Sequence, residues 1–259
     1  MPTLLINNCN IYYEIIGQGD PLLFIHGLGS SSRDWQDQID SFSKTHQVIV
    51  FDVRGHGQSD KPDGPYSIPL FAKDTALLIE HLEVAPLSVV GISMGGMIAF
   101  QLAVDRPDLI KKLVTVNNTP EFVVRTFKER LNIWQRFLVL RLLGMRKIGE
   151  ILSKRMFPKP EQAGIRATFV KRWAENDPRA YRDAMRAIVG WSVMDQIENI
   201  KCPTLTLASD NDYTSVAEKQ AFTEKIPNGK LIVIEDARHA LPVERPAEFN
   251  AALGEFLGN

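Results

Sequence analysis

The chain reads as an α/β protein: a mostly parallel sheet flanked by helices, interrupted by an inserted helical cap. Three observations lead there. Short apolar runs alternate with stretches of helical periodicity toward both ends of the chain, the pattern of repeated βα units. From about Asn118 to about Asn199 the strand signals stop and only helical ones remain. Finally, Gly91-Ile92-Ser93-Met94-Gly95 directly follows the apolar run Leu87-Ser88-Val89-Val90, as expected where a strand turns sharply into a helix and exposes a serine.

The elements follow in order. Thr3–Ile6 and Ile11–Ile16 read as a hairpin joined by Asn7-Asn8-Cys9-Asn10. Leu22–Ile25 and Gln47–Phe51 are buried strands, the second followed by the turn-rich stretch Asp52–Ser59. Ser67–Leu82 has helical periodicity with Ser67 as its cap. Leu87–Val90 is the strand feeding the serine, Met94–Val104 a helix stopped near Pro107, and Leu109–Val116 the next strand. The helical insert is broken at Gly144, at Phe157-Pro158-Lys159-Pro160 and at Asn176-Asp177-Pro178. Strands return at Thr204–Ala208 and Lys230–Ile234, and an amphipathic helix, Ala247–Leu257, closes the chain. The expected division is therefore a core of residues 1–117 and 200–259 and a helical cap of residues 118–199.

Composition narrows the function classes. The 259 residues suffice for one large α/β domain or a core with an inserted lid. A net charge of −1 exerts no global pull toward nucleic acid. Cys9 and Cys202 are too few and too far apart for a disulfide framework or a metal cluster. Cys202 reads as a buried small hydrophobe entering a strand. No 18-residue apolar stretch and no basic leader with a following apolar run occur, so the expectation is a cytoplasmic protein without stable membrane insertion.

Ser93 needs a general base, and histidine has the suitable proton affinity. His46, before a strand, and His81, near a helix end, read as surface residues; His26 and His56 sit inside turn motifs. His239, in Asp236-Ala237-Arg238-His239 between the last strand and last helix, shares the carboxyl edge of the sheet with Ser93. The acid that orients it should come from Ser209-Asp210-Asn211-Asp212 after strand Thr204–Ala208. Asp212 is the first choice, since the first loop residues finish the strand turn, and Asp210 is the reserve. Two backbone N–H groups should receive the oxyanion: Met94, after the nucleophile, and Leu28, in His26-Gly27-Leu28-Gly29-Ser30 after the third strand. The competing reading, a nucleotide-binding turn, lacks the G-x-G-x-x-G spacing and an acidic residue closing the next strand.

These pieces together resemble the α/β-hydrolase superfamily over almost the whole chain. The matching stretches are His26-Gly27-Leu28-Gly29, Asp52-Val53-Arg54-Gly55-His56-Gly57-Gln58-Ser59, Gly91-Ile92-Ser93-Met94-Gly95-Gly96, Cys202-Pro203-Thr204-Leu205, and Arg238-His239 through Glu244-Arg245-Pro246. The resemblance implies a sheet of about eight strands, a helical cap after the sixth, and the triad order Ser93, Asp212, His239. It also implies a structural role for the Asp52–Ser59 loop. Two departures stand out: Ser209 and Arg238 occupy positions where the family usually has glycine.

With serine as nucleophile, the resemblance implies cleavage of a carboxylic ester or lactone through an acyl-enzyme. Acyl transfer, perhydrolysis and C–C bond hydrolysis are alternatives on the same triad, and a small-molecule receptor with little turnover is a third. His239-Ala240-Leu241-Pro242 and Asn176-Asp177-Pro178-Arg179-Ala180-Tyr181 look most like 3-oxoadipate enol-lactonase-type proteins. No metal or organic cofactor is required by this chemistry.

The cap sets specificity in this scheme. Between Asn118 and Ile200 there are 16 Lys/Arg against 9 Asp/Glu, whereas the rest has 14 against 22. A cationic lid can draw an anionic substrate, although a solvated basic surface has the same composition. Trp134, Trp173, Tyr181, Met185 and Trp191 are the pocket candidates on the cap. The apolar stretch Phe122–Leu143 can also serve a homodimer contact through the cap.

Overall fold

The computed structural model describes residues 2–258. Eight strands form one sheet: β1 (Thr3–Ile6), β2 (Cys9–Ile16), β3 (Asp20–Ile25), β4 (His46–Phe51), β5 (Leu87–Ile92), β6 (Ile110–Val116), β7 (Thr204–Ser209) and β8 (Gly229–Ile234). Their spatial order is β1-β2-β4-β3-β5-β6-β7-β8. β2 pairs antiparallel with β1 and β4, and every later pairing is parallel.

The parallel strands carry apolar runs where both faces are covered, and alternation assigns each residue of a run to a face. Leu23, Ile25, Ile49, Phe51, Leu87, Val89 and Leu113 point into one core. Leu22, Phe24, Val48, Val50, Val90, Val114 and Leu205 point into the other. Helices α2 (Ile68–His81) and α3 (Met94–Asp105) close the first face; α1 (Gln36–Phe42) and the terminal helix lie against the second. As anticipated, Ser67 caps α2, its hydroxyl accepting from the Leu70 N–H.

Between β6 and β7 lie α4 (Phe127–Met156), α5 (Ala163–Ala174) and α6 (Pro178–Ile188). Their ends fall at the breaks read from the sequence. Thr126 and Glu129 form a capping box for α4, and Gly144 kinks that helix at φ 73°. Asp177 caps α6, with Pro178 in its first turn. After β7 come α7 (Val216–Thr223), α8 (Leu241–Glu244) and α9 (Pro246–Leu257). No helix among the described residues is long and apolar enough to cross a membrane.

Some local expectations need correction. The first hairpin turns on Asn7 and Asn8 alone, both at positive φ, so Cys9 and Asn10 already belong to β2. A two-residue turn with this twist matches the twist of the strands it joins. His46 is buried, not on the surface: it opens β4, bonds Thr45 and meets the edge of Phe42. Cys202 is only partly buried. Helices α1, α7 and α8 were not anticipated from periodicity, being too short to display it.

Candidate active site

The carboxyl end of β5 turns into α3 at Ser93, whose φ of 54° and ψ of −120° lie outside the usual regions. Such a conformation costs about 1–3 kcal/mol and persists only where its surroundings impose it. They do so here through close backbone approach. A Cβ on Gly91 would stand 2.2 Å from the Gly95 carbonyl oxygen, and one on Gly95 would stand 2.1 Å from that of Ile25. The Ser93 N–H donates to the Val116 carbonyl at 3.0 Å, which ties the turn to the end of β6.

The loop after β3 lies over the serine. A Cβ on Gly27 would contact the Ser93 Cβ at 3.4 Å. The Leu28 N–H has no acceptor among the described residues, and Met94, at the first position of α3, has none within the helix. The two N–H groups expected to receive an oxyanion thus have no other backbone acceptor among the described residues. The loop is held from below: the Val53 N–H donates to His26 Nε2 at 2.9 Å, and His26 Nδ1 donates to the Gly27 carbonyl at 2.8 Å.

The Asp52–Ser59 loop is a buttress. Asp52 accepts from the Ser32 and Gln58 N–H groups at 2.7 and 2.6 Å. Arg54 makes a two-pronged bond to Asp74 at 2.7 and 2.9 Å. His56 Nδ1 donates to the Arg54 carbonyl. Burial holds His26 below the ordinary histidine range and, with the nearby His26, pushes His56 down to about 3. Both remain neutral and serve as wedges in the loops.

His239 enters from the loop between β8 and α8. Its Nδ1 lies 2.6 Å from Asp212 Oδ1. Asp210 instead accepts from the Ala237 N–H at 3.1 Å and shapes the histidine loop from outside. The structure thus brings Asp212, not the reserve, to the imidazole. Burial raises the Asp212 carboxyl, but the hydrogen bond and charge of His239, then the ammonium of Lys219, hold it well below the ordinary carboxylate range. Asp212→Asn is expected to lower kcat by about 10⁴-fold and Asp210→Asn by less than tenfold, in steady-state ester hydrolysis; equal losses would unseat Asp212.

Two features, Asn117 and Tyr213, had no signal in the sequence, and Ser209 stood out there only as a departure. Asn117, at φ 46°, donates to Ser209 Oγ and to the carbonyls of Arg238 and His239, and accepts from the Ser209 N–H. It fastens the acid loop to the histidine loop. Its partners lie about 90 and 120 residues away in the chain, so only the fold reveals it. Ser209, one of the two departures, contributes a hydroxyl that donates to the Arg238 carbonyl at 2.7 Å. Tyr213 stacks on the His239 ring at 4.4 Å. At the other departure, Arg238 donates its backbone N–H to Glu244 at 2.5 Å, and its side chain does not border the serine.

A cavity of about 170 Å³ opens between Ser93 and the helical insert, bordered by Met97, Asn118, Arg136, Trp173, Met185 and His239 among others. A smaller one of about 80 Å³ adjoins it on the Leu28 side, reaching Phe169 and Val243. Trp173 and Met185 border this space as expected, Trp173 both parts of it. Tyr181 is one layer back, its ring edge-on to Trp173 and its hydroxyl accepting from Arg136 at 2.8 Å. Tyr181 therefore does not border the cavity at Ser93, contrary to expectation, and two further expectations fail. Trp191 belongs to the core, donating from Nε1 to Gln101 at 2.8 Å. Trp134 is 59% exposed on an outer ridge of α4 with Phe127 and Leu142. Helical periodicity identifies which residues share a face, but not which face meets the core.

A serine on a strained strand-to-helix turn, a histidine held by a buried carboxylate and a mostly parallel eight-stranded sheet define a hydrolase architecture. A family model described as the alpha/beta hydrolase fold matches residues 20–246, and the chain belongs to that family. It is an enzyme of the hydrolase class. Among its relatives, the (E)-2-((N-methylformamido)methylene)succinate hydrolase of Acinetobacter baylyi is 33% identical, the match covering 98% of this chain and 96% of that protein. The 3-oxoadipate enol-lactonase 2 of the same species is 30% identical over 97% and 94%. The crystal structure of the enol-lactonase from Burkholderia xenovorans LB400 superposes with a TM-score of 0.92 over the full length of both chains at 24% identity, a likeness of fold.

Proposed function

We propose that the protein cleaves a carboxylic ester or lactone whose acyl portion carries a negative charge, through an acyl-enzyme on Ser93. The observation that carries the reading is the 2.6 Å contact between His239 and the buried Asp212, at a cavity that Ser93 also borders. Ser93 Oγ attacks the carbonyl carbon as His239 takes its proton. The oxyanion is received by the Leu28 and Met94 N–H groups, and Asp212 stabilises the imidazolium. Collapse breaks the C–O bond, and His239 returns the proton to the leaving oxygen. Water then attacks the acyl-enzyme with His239 as base, releasing the acid and restoring the serine.

The charge preference rests on Arg136, the one cation bordering the cavity at Ser93 among the described residues. The named substrates of the two relatives above, a substituted succinate and an oxoadipate lactone, are anionic carboxylates. In this scheme residues 118–199 act as the cap that admits substrate, and Trp173 and Met185 shape the acyl pocket.

The test is a panel of esters and lactones varied in acyl length and charge. Steady turnover with a preference for acyl groups bearing a carboxylate is expected. Arg136→Gln should raise KM for those substrates about tenfold or more and leave neutral esters unaffected. A single burst followed by a stalled covalent adduct on every substrate would favour a receptor. Partition of the acyl group to added alcohols or peroxide over water would favour acyl transfer.

A further inference from the structure

Lys219 is a lysine with no exposed side-chain surface that the proposed reaction does not use. It lies on the inward face of α7, seven residues after Asp212. Its Nζ donates to Asp212 Oδ2 at 2.6 Å and to the Thr214 carbonyl at 2.8 Å. Thr214 Oγ1 also donates to Asp212 Oδ2, at 3.1 Å. The other carboxylate oxygen, Oδ1, is 2.6 Å from His239 Nδ1. One carboxylate, itself only 1% exposed, therefore joins the imidazole on one side and an ammonium on the other. A buried ammonium is costly unless a counter-charge touches it, and Asp212 is the anion in contact.

The helix carrying Lys219 is firmly placed. Ser215 and Glu218 form a capping box at its start. Thr223 bonds Thr206 of β7 and the Lys219 carbonyl, at 2.8 and 2.7 Å. The ammonium thus comes from a fixed element behind the acid loop, not from a mobile surface chain.

We propose that Lys219 is a positioning residue of the triad: it clamps Asp212 toward His239 and offsets part of the carboxylate's charge, so that Asp212 draws a proton onto the imidazole less strongly than it would alone. This rests on the triad reading given above. A carboxylate alone beside an imidazole favours the imidazolium, and a resting imidazolium cannot take the serine proton. An ammonium on the far oxygen opposes that pull in a site shielded from water.

Other charges around the pair are more remote or already engaged. Arg136 and Arg155 of α4 act on the neighbouring Tyr213. On the histidine loop, Arg238 faces Glu244, Asp236 pairs with Lys159, and Asp210 holds the Ala237 N–H. Tyr213 contributes a ring face to His239. Among the described residues, Lys219 is the one lysine or arginine that bonds the Asp212 carboxylate.

The test is Lys219→Met in the full chain, which keeps an unbranched apolar side chain one atom shorter and removes the charge. With an ester that the wild type turns over, kcat/KM is followed from pH 5 to 9. The acidic midpoint is expected to rise by about one unit, so that well below both midpoints the variant is slower by about tenfold, with the alkaline plateau within about fivefold of wild type. A uniform loss at every pH with an unmoved midpoint, or no change, would overturn the proposal. Lys219→Gln provides a second variant, read by proton NMR of the His239 ring in the Ser93→Ala background, the resonance being identified by its loss in His239→Gln. Its titration midpoint should rise as well, and an unmoved midpoint counts against the clamp. The NMR readout needs no turnover, so absence of esterase activity would defeat the functional reading without deciding this one.

Discussion

Ser93→Ala is expected to reduce ester turnover by roughly 10⁴- to 10⁶-fold, the loss typical when the nucleophile of a coupled triad is removed. The remaining activity would come from the oxyanion donors and binding alone. The fold should tolerate the change, because alanine removes a single atom at the border of a cavity. The strained backbone at position 93 is imposed by Gly91, Gly95 and the bond to the Val116 carbonyl, none of which the substitution alters. The measurement pairs kcat on the preferred ester with intact-protein mass after a serine-directed phosphonate. Wild type should gain one adduct and Ser93→Ala none. Retention of more than a few per cent of the wild-type rate would remove Ser93 from the mechanism.

The second large effect concerns stability. Arg54 and Asp74 form an ion pair with side chains only 6% and 3% exposed. The Arg54 guanidinium also donates to the Asn7 carbonyl at 3.2 Å, and Asn7 donates to Asp74 at 2.7 Å. The cluster therefore joins the Asp52–Ser59 loop, α2 and the first hairpin turn. Asp74→Ala leaves the guanidinium buried without its counter-charge and is expected to cost about 3–5 kcal/mol, a large share of a typical domain's stability. Urea unfolding followed by tryptophan fluorescence checks this. The double variant Arg54→Met, Asp74→Leu should be less destabilised than Asp74→Ala, since no lone charge remains. A loss below about 1 kcal/mol for Asp74→Ala would mean that the loop relaxes and hydrates the arginine.

The parts that were legible in the sequence share a physical cause. β3 through β7 carry apolar runs that stand out; the glycine at 91 is demanded by backbone approach within a few residues of the serine, whereas the one at 95 makes room for the end of β3. Thr126, Asp177 and Ser67 announce helix starts because capping is local. Ser93 and His239 follow from that frame, since the loops after parallel strands converge on one edge. The choice between Asp210 and Asp212 needed coordinates, because both occupy the same short loop and differ only in direction.

Other features were hidden for the same reason. Lys219 lies on the buried face of α7 with Phe222 and Thr223, where a pattern of apolar spacing reads a lysine as solvent-facing. Trp134 and Trp173 are both aromatic residues on the helices between β6 and β7, yet one faces outward and the other borders the cavity at Ser93. The strand-turn-helix at Ser93 and the class of chemistry are written in local steric and periodic rules that act within about a dozen residues. The acid that serves His239, the lysine behind it, the Asn117 fastening and the residues lining the cavity depend on contacts between distant segments. Those contacts exist only once the sheet has set the relative positions of its loops.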